Sequence, residues 1–261
     1  MDKGNSYNEI YTEPILGYRV SLASKERCVG KILSWLEKSG ESKYFVCANP
    51  HSLIIAGNDR VFHNAIFAAD LVIPDGIGVV LVSRLLGGNI RQRITGSDIF
   101  FEVSKILNER KNIGYFFLGS TQETLAKIKE KLARDFPNIR YAGGYSPPFK
   151  EEFDEEEDLQ IIKAIDQARP EVLWVGMTAP KQEKWIYRNL SKINVKFIGA
   201  VGAVFDFYTG NVKRPNLIFQ KAGLEWLPRF IRQPKRLWRR NLVSTPRFLF
   251  RVARDRLLIQ W

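Results

Sequence analysis

The chain has 261 residues, of which 45% are apolar and 26% charged, a balance that is typical of a globular protein and excludes a disordered one. Its formal net charge is +12, and residues 213–261 carry almost all of it, because thirteen Lys and Arg residues there face only Glu225 and Asp255. The preceding residues are close to neutral, so the basicity belongs to the tail.

The two cysteines, Cys28 and Cys47, offer neither a disulfide framework nor the spacing of a metal site. A reducing, intracellular location is the simple expectation. The polar residues 1–5 do not resemble a signal peptide, and no apolar run approaches the ~18 residues of a membrane span. We therefore expect membrane contact, where there is any, to be made from the surface.

Apolar runs of strand length alternate along the chain with segments of helical periodicity. The predicted strands are residues 15–20, 44–48, 71–74, 113–118, 139–142, 172–175 and 195–200. Ser24, Thr121 and the acidic run 154–158 are placed to begin helices. Strands that alternate with helices indicate βαβ crossovers. We predict an α/β fold, with a Rossmann-like, largely parallel sheet and helices on both faces, over residues 1–212. Residues 213–261 are predicted to form a basic helical C-terminal appendage.

The strand at residues 71–74 leads directly into Asp75-Gly76. Four residues that end in Pro and are followed by Asp-Gly indicate a buried strand and a sharp turn. Ligands of an open α/β sheet bind at the carboxyl ends of its strands, so Asp75 is a candidate catalytic residue. The alternative is that Asp-Gly here is ordinary turn chemistry.

A second motif, Arg93-Ile94-Thr95-Gly96-Ser97-Asp98, precedes apolar residues at helical spacing. A helix that begins at about Ser97 presents free N–H groups and a positive dipole end to a phosphate, and Arg93 adds a fork that suits phosphate. Thr95, Gly96 and Asp98 are therefore candidate binding residues beside Arg93. The alternative is that Ser97 and Asp98 only cap the helix, which leaves the upstream Arg and Gly unexplained.

Two known phosphate motifs are missing from the sequence. Gly76-Ile77-Gly78 begins a dinucleotide fingerprint, but Leu81 stands where the third Gly belongs, and no P-loop pattern occurs. No predicted strand ends in the Asp-x-Asp pair with which many nucleotide-sugar enzymes hold a divalent metal. We therefore predict no metal and no cofactor. The charge of a bound diphosphate would be met by helix N-termini, Arg and Lys, so activity should persist in the presence of a chelator.

The basic residues of the tail are interleaved with aromatic side chains, and Pro228, Pro234 and Pro246 divide it into short helical pieces. Basic residues and Trp on short amphipathic segments are typical of helices that lie in a bilayer interface, where each Lys or Arg near anionic lipid contributes about 1 kcal/mol. We predict binding to an anionic membrane surface. Two alternatives stay open, a solvated basic helix pair and nucleic-acid binding.

Four motifs, in order, carry a family resemblance. They are residues 69–76, 93–98, 176–183, and 223–227 followed by 234–240. From about residue 15 the chain resembles the WecG/TagA/CpsF family of bacterial glycosyltransferases. The resemblance implies transfer of a hexose, N-acetylmannosamine or a related sugar, from UDP to a polyprenyl-diphosphate-linked saccharide in cell-surface polysaccharide synthesis, with inversion and without metal.

The resemblance also implies roles for matched residues of the α/β part. Asp75 would be the general base that takes the proton of the acceptor hydroxyl. Arg93 and Gln182 would contact the nucleotide-sugar, and Asn49 would line the same pocket. The alternative for Gln182 is a solvated position in the first turn of a helix.

In the tail, the resemblance implies that Arg214, Arg236 and Arg239 reach the diphosphate of either substrate. Cys47 departs from relatives that carry Thr at this position. The departure puts a hydroxyl role at Cys47 in doubt, and with it the identity of the sugar.

We therefore predict a glycosyltransferase bound peripherally at the cytoplasmic face of the bacterial cell membrane. Its expected partners are a UDP-sugar donor and a lipid-linked saccharide acceptor, no nucleic acid is expected, and a homo-oligomer is left open. One rival is a cytosolic nucleotide-sugar epimerase or dehydrogenase, which needs a nicotinamide and no lipid acceptor. The other is a basic nucleic-acid-binding protein, whose affinity falls steeply with salt.

Overall fold

A computed structural model of the chain describes residues 9–38, 40–110, 112–213, 215–216, 219 and 224–259, without the side chains of residues 229, 236 and 256–259. Its strands, in chain order, are β1 (Thr12–Ile15), β2 (Tyr18–Ser21), β3 (Lys43–Ala48), β4 (Leu71–Pro74), β5 (Ile113–Leu118), β6 (Ile139–Tyr145), β7 (Val172–Val175) and β8 (Phe197–Ala200). Six of these strands form a wholly parallel sheet in the order β4-β3-β8-β7-β5-β6. The predicted parallel sheet is confirmed.

The helices cover both faces of this sheet. They are α1 (Lys25–Glu37), α2 (Pro50–Ala56), α3 (Arg60–Phe67), α4 (Ile77–Leu85), α5 (Gly96–Asn108), α6 (Gln122–Asp135), α7 (Glu155–Ala168), α8 (Lys181–Asn189), α9 (Val204–Thr209), α10 (Trp226–Arg232), α11 (Pro234–Trp238) and α12 (Thr245–Ile259). A 3₁₀ turn, Leu190–Lys192, follows α8.

Alternate side chains of each strand point to opposite faces of the sheet, and this alternation divides the core into two layers. Tyr44 and Val46 pack with α2, α3, α7 and α8, whereas Phe45 packs with α1, α5, α6 and α9. Such cover on both faces explains why the strands are nearly continuous apolar runs. The Rossmann-like architecture predicted from the sequence is confirmed.

The order of the strands places the site. The chain passes from β3 to β4 at one edge and then crosses to β5 on the far side of β7, so the direction of winding reverses near β3 and β8. Ala48 of β3 is in register with Pro74 of β4, and Val175 of β7 with Ala200 of β8. Four carboxyl ends therefore lie side by side at the switch point, where open α/β sheets bind ligands.

Some predicted strand boundaries are wrong. Residues 15–20, predicted as one strand, contain the end of β1, a turn at Leu16-Gly17 and most of β2, and the two strands pair as an antiparallel hairpin. Leu16 and Gly17 at the turn have φ of 51° and 83°, as a two-residue hairpin loop requires. The predicted strand at residues 139–142 is too short. β6 continues to Tyr145, because Gly143 and Gly144 pair with β5 after a bulge.

The C-terminal segment packs onto the sheet domain. α11 continues through a π-helical stretch, Arg239–Ser244, into α12. Pro246 lacks the N–H that an α-helix would need there, and a widened π turn directly precedes it. Phe248 is fully buried and joins the core layer of α2. The division at residue 212 stays a prediction, and the two parts share one core.

Candidate functional site

A cavity of about 550 Å³ lies at the four adjacent carboxyl ends, a volume that suits a small-molecule ligand. The loops after β3, β4, β7 and β8 form its floor, together with the first turns of α5 and α8. Side chains of the C-terminal segment cover it, among them Trp226, Leu237 and Arg239. The site is therefore built from both parts of the chain.

Asp75 lines this cavity directly after β4. Its N–H donates to the carbonyl of Ala48 at 2.8 Å, which fixes the turn against β3. Gly76 has a φ of 150°, and a Cβ there would lie 3.3 Å from Asn49 Cβ, so only glycine fits without strain. The carboxyl group is half-buried at the cavity wall.

The surroundings of Asp75 shift its pKa in opposite directions. Burial raises the pKa of Asp75, while the Arg240 and Arg93 guanidinium groups lower it. Glu225 and Asp98 add weaker contributions that raise this pKa. A carboxylate with a raised pKa is a stronger base than an ordinary Asp, which suits proton abstraction.

Asn49 also lines the cavity, at the start of α2. Its Oδ1 accepts from the Ser52 N–H at 3.1 Å, and Ser52 Oγ accepts from the Asn49 N–H at 2.9 Å. This reciprocal capping box uses the amide oxygen. The amide nitrogen has no hydrogen-bond partner within the described part of the chain.

The motif at residues 93–98 forms the first turn of α5, which begins at Gly96 with Thr95 as its N-cap. Asp98 N donates to Thr95 Oγ1 at 3.1 Å, and Thr95 N donates to Asp98 Oδ2 at 2.9 Å. The predicted start at about Ser97 is thus one residue late, because the cap is Thr95. Thr95 and Gly96 line the cavity, whereas Asp98 is not among the lining residues and completes a capping box.

Gly96 lets α5 approach the sheet closely. A Cβ on Gly96 would lie 3.3 Å from Val201 Cα and 3.5 Å from Cys47 Sγ. The positive end of the α5 dipole therefore faces the cavity floor. Cys47 lines the cavity too, with its thiol donating to the carbonyl of Ala200 at 3.7 Å.

Arg93 joins the two parts of the chain. Its Nη2 lies 3.0 Å from Glu225 Oε2, and the two side chains are only 17% and 9% exposed. A phosphate that binds Arg93 would therefore meet a guanidinium group that is already held by a carboxylate. Glu225 was not predicted as a site residue, although it lies in the motif at residues 223–227.

Gln182 and Glu183 lie in the first turn of α8 and are 3% and 2% exposed. Gln182 Oε1 accepts from the Gly202 N–H at 3.0 Å, and Gln182 Nε2 donates to Glu183 Oε1 at 2.9 Å. The solvated alternative for Gln182 is wrong, since both residues line the cavity from a buried position. Burial raises the pKa of Glu183 to about 7.

Two arginines of the tail, Arg239 and Arg240, line the cavity. Arg239 lines the cavity and stacks on its neighbour Trp238, with Cζ 5.4 Å from the ring centroid. Arg240, which was not predicted, lines it as well. Arg214 and the side chain of Arg236 lie outside the described residues.

His51 ties the tail to the cavity rim. Its Nδ1 lies 2.8 Å from Ser244 Oγ in the π-helical stretch. Burial lowers the pKa of His51 to about 4, and the Arg240 charge adds to this shift. The imidazole is therefore neutral at physiological pH and fixes the C-terminal segment as a hydrogen-bond partner.

The described residues contain neither a metal-ligand cluster nor a helix that could span a membrane. No group of three or more His, Cys, Asp or Glu side chains in this part of the chain is placed to hold a metal ion. No helix in the same residues has the length and apolar character needed to cross a bilayer.

Comparison with known proteins decides the family. The sequence model of the family described as "Glycosyl transferase WecG/TagA/CpsF family" matches residues 13–260. The chain belongs to this family. The match spans both predicted parts of this glycosyltransferase, so the covering C-terminal segment is part of the family pattern and the resemblance inferred from four motifs is confirmed.

Three relatives of the glycosyltransferase carry the name N-acetylglucosaminyldiphosphoundecaprenol N-acetyl-beta-D-mannosaminyltransferase. The Bacillus subtilis (strain 168) protein is 32% identical over 209 residues, 79% of this chain and 77% of the relative. The Bacillus spizizenii protein is 32% identical over 211 residues, 81% and 79% of the two chains. The Staphylococcus aureus (strain MRSA252) protein is 30% identical over 225 residues, 85% and 84%.

Membership in a glycosyltransferase family favours the predicted transferase over both rivals, the epimerase or dehydrogenase and the nucleic-acid-binding protein. Glu183 and Arg240 line the cavity of this glycosyltransferase but were not predicted as site residues. A signal was present for each, because Glu183 ends the motif at residues 176–183 and Arg240 ends that at 234–240.

Proposed function

We propose that this glycosyltransferase moves an N-acetylmannosamine-type hexose from a UDP-sugar to a polyprenyl-diphosphate-linked saccharide, with inversion at the anomeric carbon. The names of the relatives support the sugar and the acceptor, since those proteins are named for N-acetylmannosaminyl transfer to N-acetylglucosaminyl-diphosphoundecaprenol. The single observation that carries the mechanism is the half-buried Asp75 at the cavity wall, with arginines acting on it from two sides.

In the proposed reaction Asp75 takes the proton from the acceptor hydroxyl. The hydroxyl oxygen then attacks the anomeric carbon from the face opposite the UDP group, and the bond between that carbon and the diphosphate oxygen breaks. UDP leaves with the electron pair, so one displacement gives inversion. A positioned general base typically contributes ~10²–10⁴-fold to such a rate.

The leaving diphosphate needs positive charge around it. Arg93, Arg239 and Arg240 line the cavity, and the α5 dipole ends at Thr95 and Gly96 in its wall. Fixed charges and dipoles of this kind stabilise developing negative charge without reorganisation. We assign diphosphate binding to these groups, with Arg214 and Arg236 as further candidates on sequence grounds.

Asn49 is assigned to contact with the nucleotide-sugar, and Gln182 to the position of a loop beside it. Asn49 can donate through its amide nitrogen, since its oxygen is used in the capping box. Gln182 uses both ends of its amide for Gly202 and Glu183, so its proposed contribution is to hold the loop after β8 in place.

Membrane attachment is the second part of the proposal. The C-terminal segment carries exposed apolar side chains, Ile231, Leu242 and Phe250, among its basic residues. Apolar groups of this kind insert into a bilayer interface while Lys and Arg bind anionic lipid. We assign the protein to the cytoplasmic face of the membrane as a peripheral enzyme, because its acceptor is lipid-linked. A homo-oligomer stays a prediction.

A UDP-release screen tests this function. UDP-hexoses and UDP-N-acetylhexosamines are offered with a short-chain polyprenyl-diphosphate N-acetylglucosamine, with and without EDTA. With UDP-N-acetylmannosamine, in which the sugar is α-linked to UDP, we expect release of UDP and a β-linked product. The rate should be the same with and without EDTA. No transfer from any UDP-sugar contradicts the function, and loss of activity with EDTA that Mg²⁺ restores contradicts metal independence.

A further inference from the structure

Glu183 lines the cavity, and the proposed reaction leaves its carboxyl group unused. Among the described residues its Oε2 is enclosed and has no hydrogen-bond partner. Its Oε1 is held by Gln182 Nε2 at 2.9 Å, and Gln182 is held in turn by the Gly202 N–H. A buried polar atom without a partner is costly. Because Glu183 lines the cavity, a ligand group that fills the cavity can supply the missing partner.

The groups that face Glu183 come from three directions. Gln182 donates to it from α8. Burial raises the pKa values of Tyr44 and Cys47 of β3, and the nearby Glu183 adds a smaller contribution to each. Asp75 and Arg240 line the same cavity. Burial raises the pKa of Glu183 to about 7, opposed by the hydrogen bond from Gln182.

We propose that Glu183 binds the nucleotide-sugar as a neutral carboxylic acid, with its Oε2–H donating a hydrogen bond to an acceptor oxygen of the ligand. This inference rests on the proposed function. It adds a substrate-binding residue whose proton is part of the bound state, beside the base Asp75, which must be ionised to act.

The chemistry of the ligand favours the neutral form. A UDP-sugar carries two negative charges on its diphosphate and several carbonyl and phosphate oxygens that accept hydrogen bonds. An ionised Glu183 would repel these charges, whereas the neutral acid offers a donor where Oε2 now has no partner. The oxygen that accepts this hydrogen bond belongs either to the diphosphate or to the acetamido carbonyl of an N-acetylhexosamine.

Titration calorimetry between pH 6 and pH 8.5 tests the proposal on the full-length protein. We expect the Kd for UDP-N-acetylhexosamine to rise above pH 7, by up to about tenfold for each pH unit, because each binding event then requires uptake of a proton. Glu183→Gln keeps a donor N–H that does not titrate. Its Kd should equal that of the wild type at pH 6, stay constant with pH, and be lower than that of the wild type at pH 8.5.

Two controls assign the effect. Glu156→Gln makes the same change in the exposed first turn of α7 and should keep the wild-type pH profile. Asp75→Asn should keep it too, which separates the effect of Glu183 from that of the base Asp75. UDP-hexoses without an acetamido group show which ligand group accepts the hydrogen bond from Glu183. Their Kd should depend on pH if the acceptor is a diphosphate oxygen, and should not depend on pH if it is the acetamido carbonyl.

The outcomes separate this inference from the proposed function. A wild-type Kd that does not rise with pH overturns the inference, as does a Glu183→Gln variant with the wild-type slope. If that variant does not fold, loss of the slope in Asp75→Asn overturns it instead. If the wild type transfers sugar but its Kd does not depend on pH, the proposed function stands and only the role of Glu183 is refuted. If the wild type binds no UDP-sugar at any pH, both the proposed function and the role of Glu183 are refuted.

Discussion

Two carboxyl groups in one cavity have different surroundings. At Asp75, burial raises the pKa and two arginines oppose that shift. At Glu183, burial raises the pKa to about 7 and the opposing contributions are hydrogen bonds from Gln182 and the backbone. Two carboxyl groups whose environments differ in this way have different pKa values, and at one pH they can therefore be in different protonation states. We therefore expect Asp75 to act as the ionised base and Glu183 as the neutral donor.

Asp75→Asn removes the base and keeps the size of the side chain. We expect transfer to fall by ~10²–10⁴-fold, the usual contribution of a general base, with unchanged circular dichroism and unchanged UDP-sugar binding. Because burial raises the pKa of Asp75, the wild-type rate should decline with falling pH earlier than an ordinary Asp would cause. Near-normal transfer by the variant contradicts the assignment.

Glu183 also has a measurable effect on stability. Its pKa is about 7 in the folded protein against 4.5 for an unperturbed Glu, so the folded state keeps a proton that the unfolded chain releases. The free energy of unfolding therefore falls as pH rises from about 4.5 to 7, by roughly 1–3 kcal/mol. Glu183→Gln should remove this loss.

The measurement is the unfolding of both proteins at pH 5 and pH 8. We expect Glu183→Gln to be clearly more stable than the wild type at pH 8 and to differ little from it at pH 5. The exposed Glu156→Gln serves as the matched control. An equal stability difference at both pH values would falsify the raised pKa of Glu183.

At the scale of elements, α5 shows how one helix start serves structure and site together. The Asp98 carboxylate accepts from Thr95, while Thr95 and Gly96 line the cavity. Asp98→Ala should therefore lower the free energy of unfolding by about 1 kcal/mol. The Michaelis constant for the UDP-sugar should stay within a factor of a few.

Lys105→Ala, at an exposed position of the same helix, is the control for Asp98→Ala. Both variants are compared by chemical denaturation and by donor kinetics. An Asp98→Ala protein of unchanged stability but strongly raised Michaelis constant contradicts capping and restores the sequence-based expectation that Asp98 contacts substrate.

Elements that depend on local chemistry were predictable. The strand at residues 71–74 and the caps Ser24 and Thr121 follow from neighbouring residues, and the structure has them as predicted. The hairpin at Leu16 was not, because a Leu with positive φ is uncommon. Glu183 and Arg240 meet in one cavity from positions far apart in the chain, and no local pattern predicts such a meeting.

At the scale of the whole molecule, the tail has an inner and an outer face. Phe248 and Val252 are buried against the sheet domain, whereas Ile231, Leu242 and Phe250 are 61–71% exposed. Basic composition and proline spacing predicted an interfacial segment but not the buried face, which depends on packing against α2. Deletion of the tail would therefore remove part of the core as well as the exposed side chains.

Point substitutions separate these two faces. The triple variant Ile231→Ser, Leu242→Ser and Phe250→Ser leaves the charge and the buried face unchanged, so we expect an intact fold and strongly reduced sedimentation with vesicles that contain phosphatidylglycerol. Leu159→Ser, at an exposed position of α7, should bind as the wild type does. Binding of the wild type should also weaken with salt, because lipid charge attracts the basic residues. A triple variant that sediments like the wild type places the membrane contact on another surface.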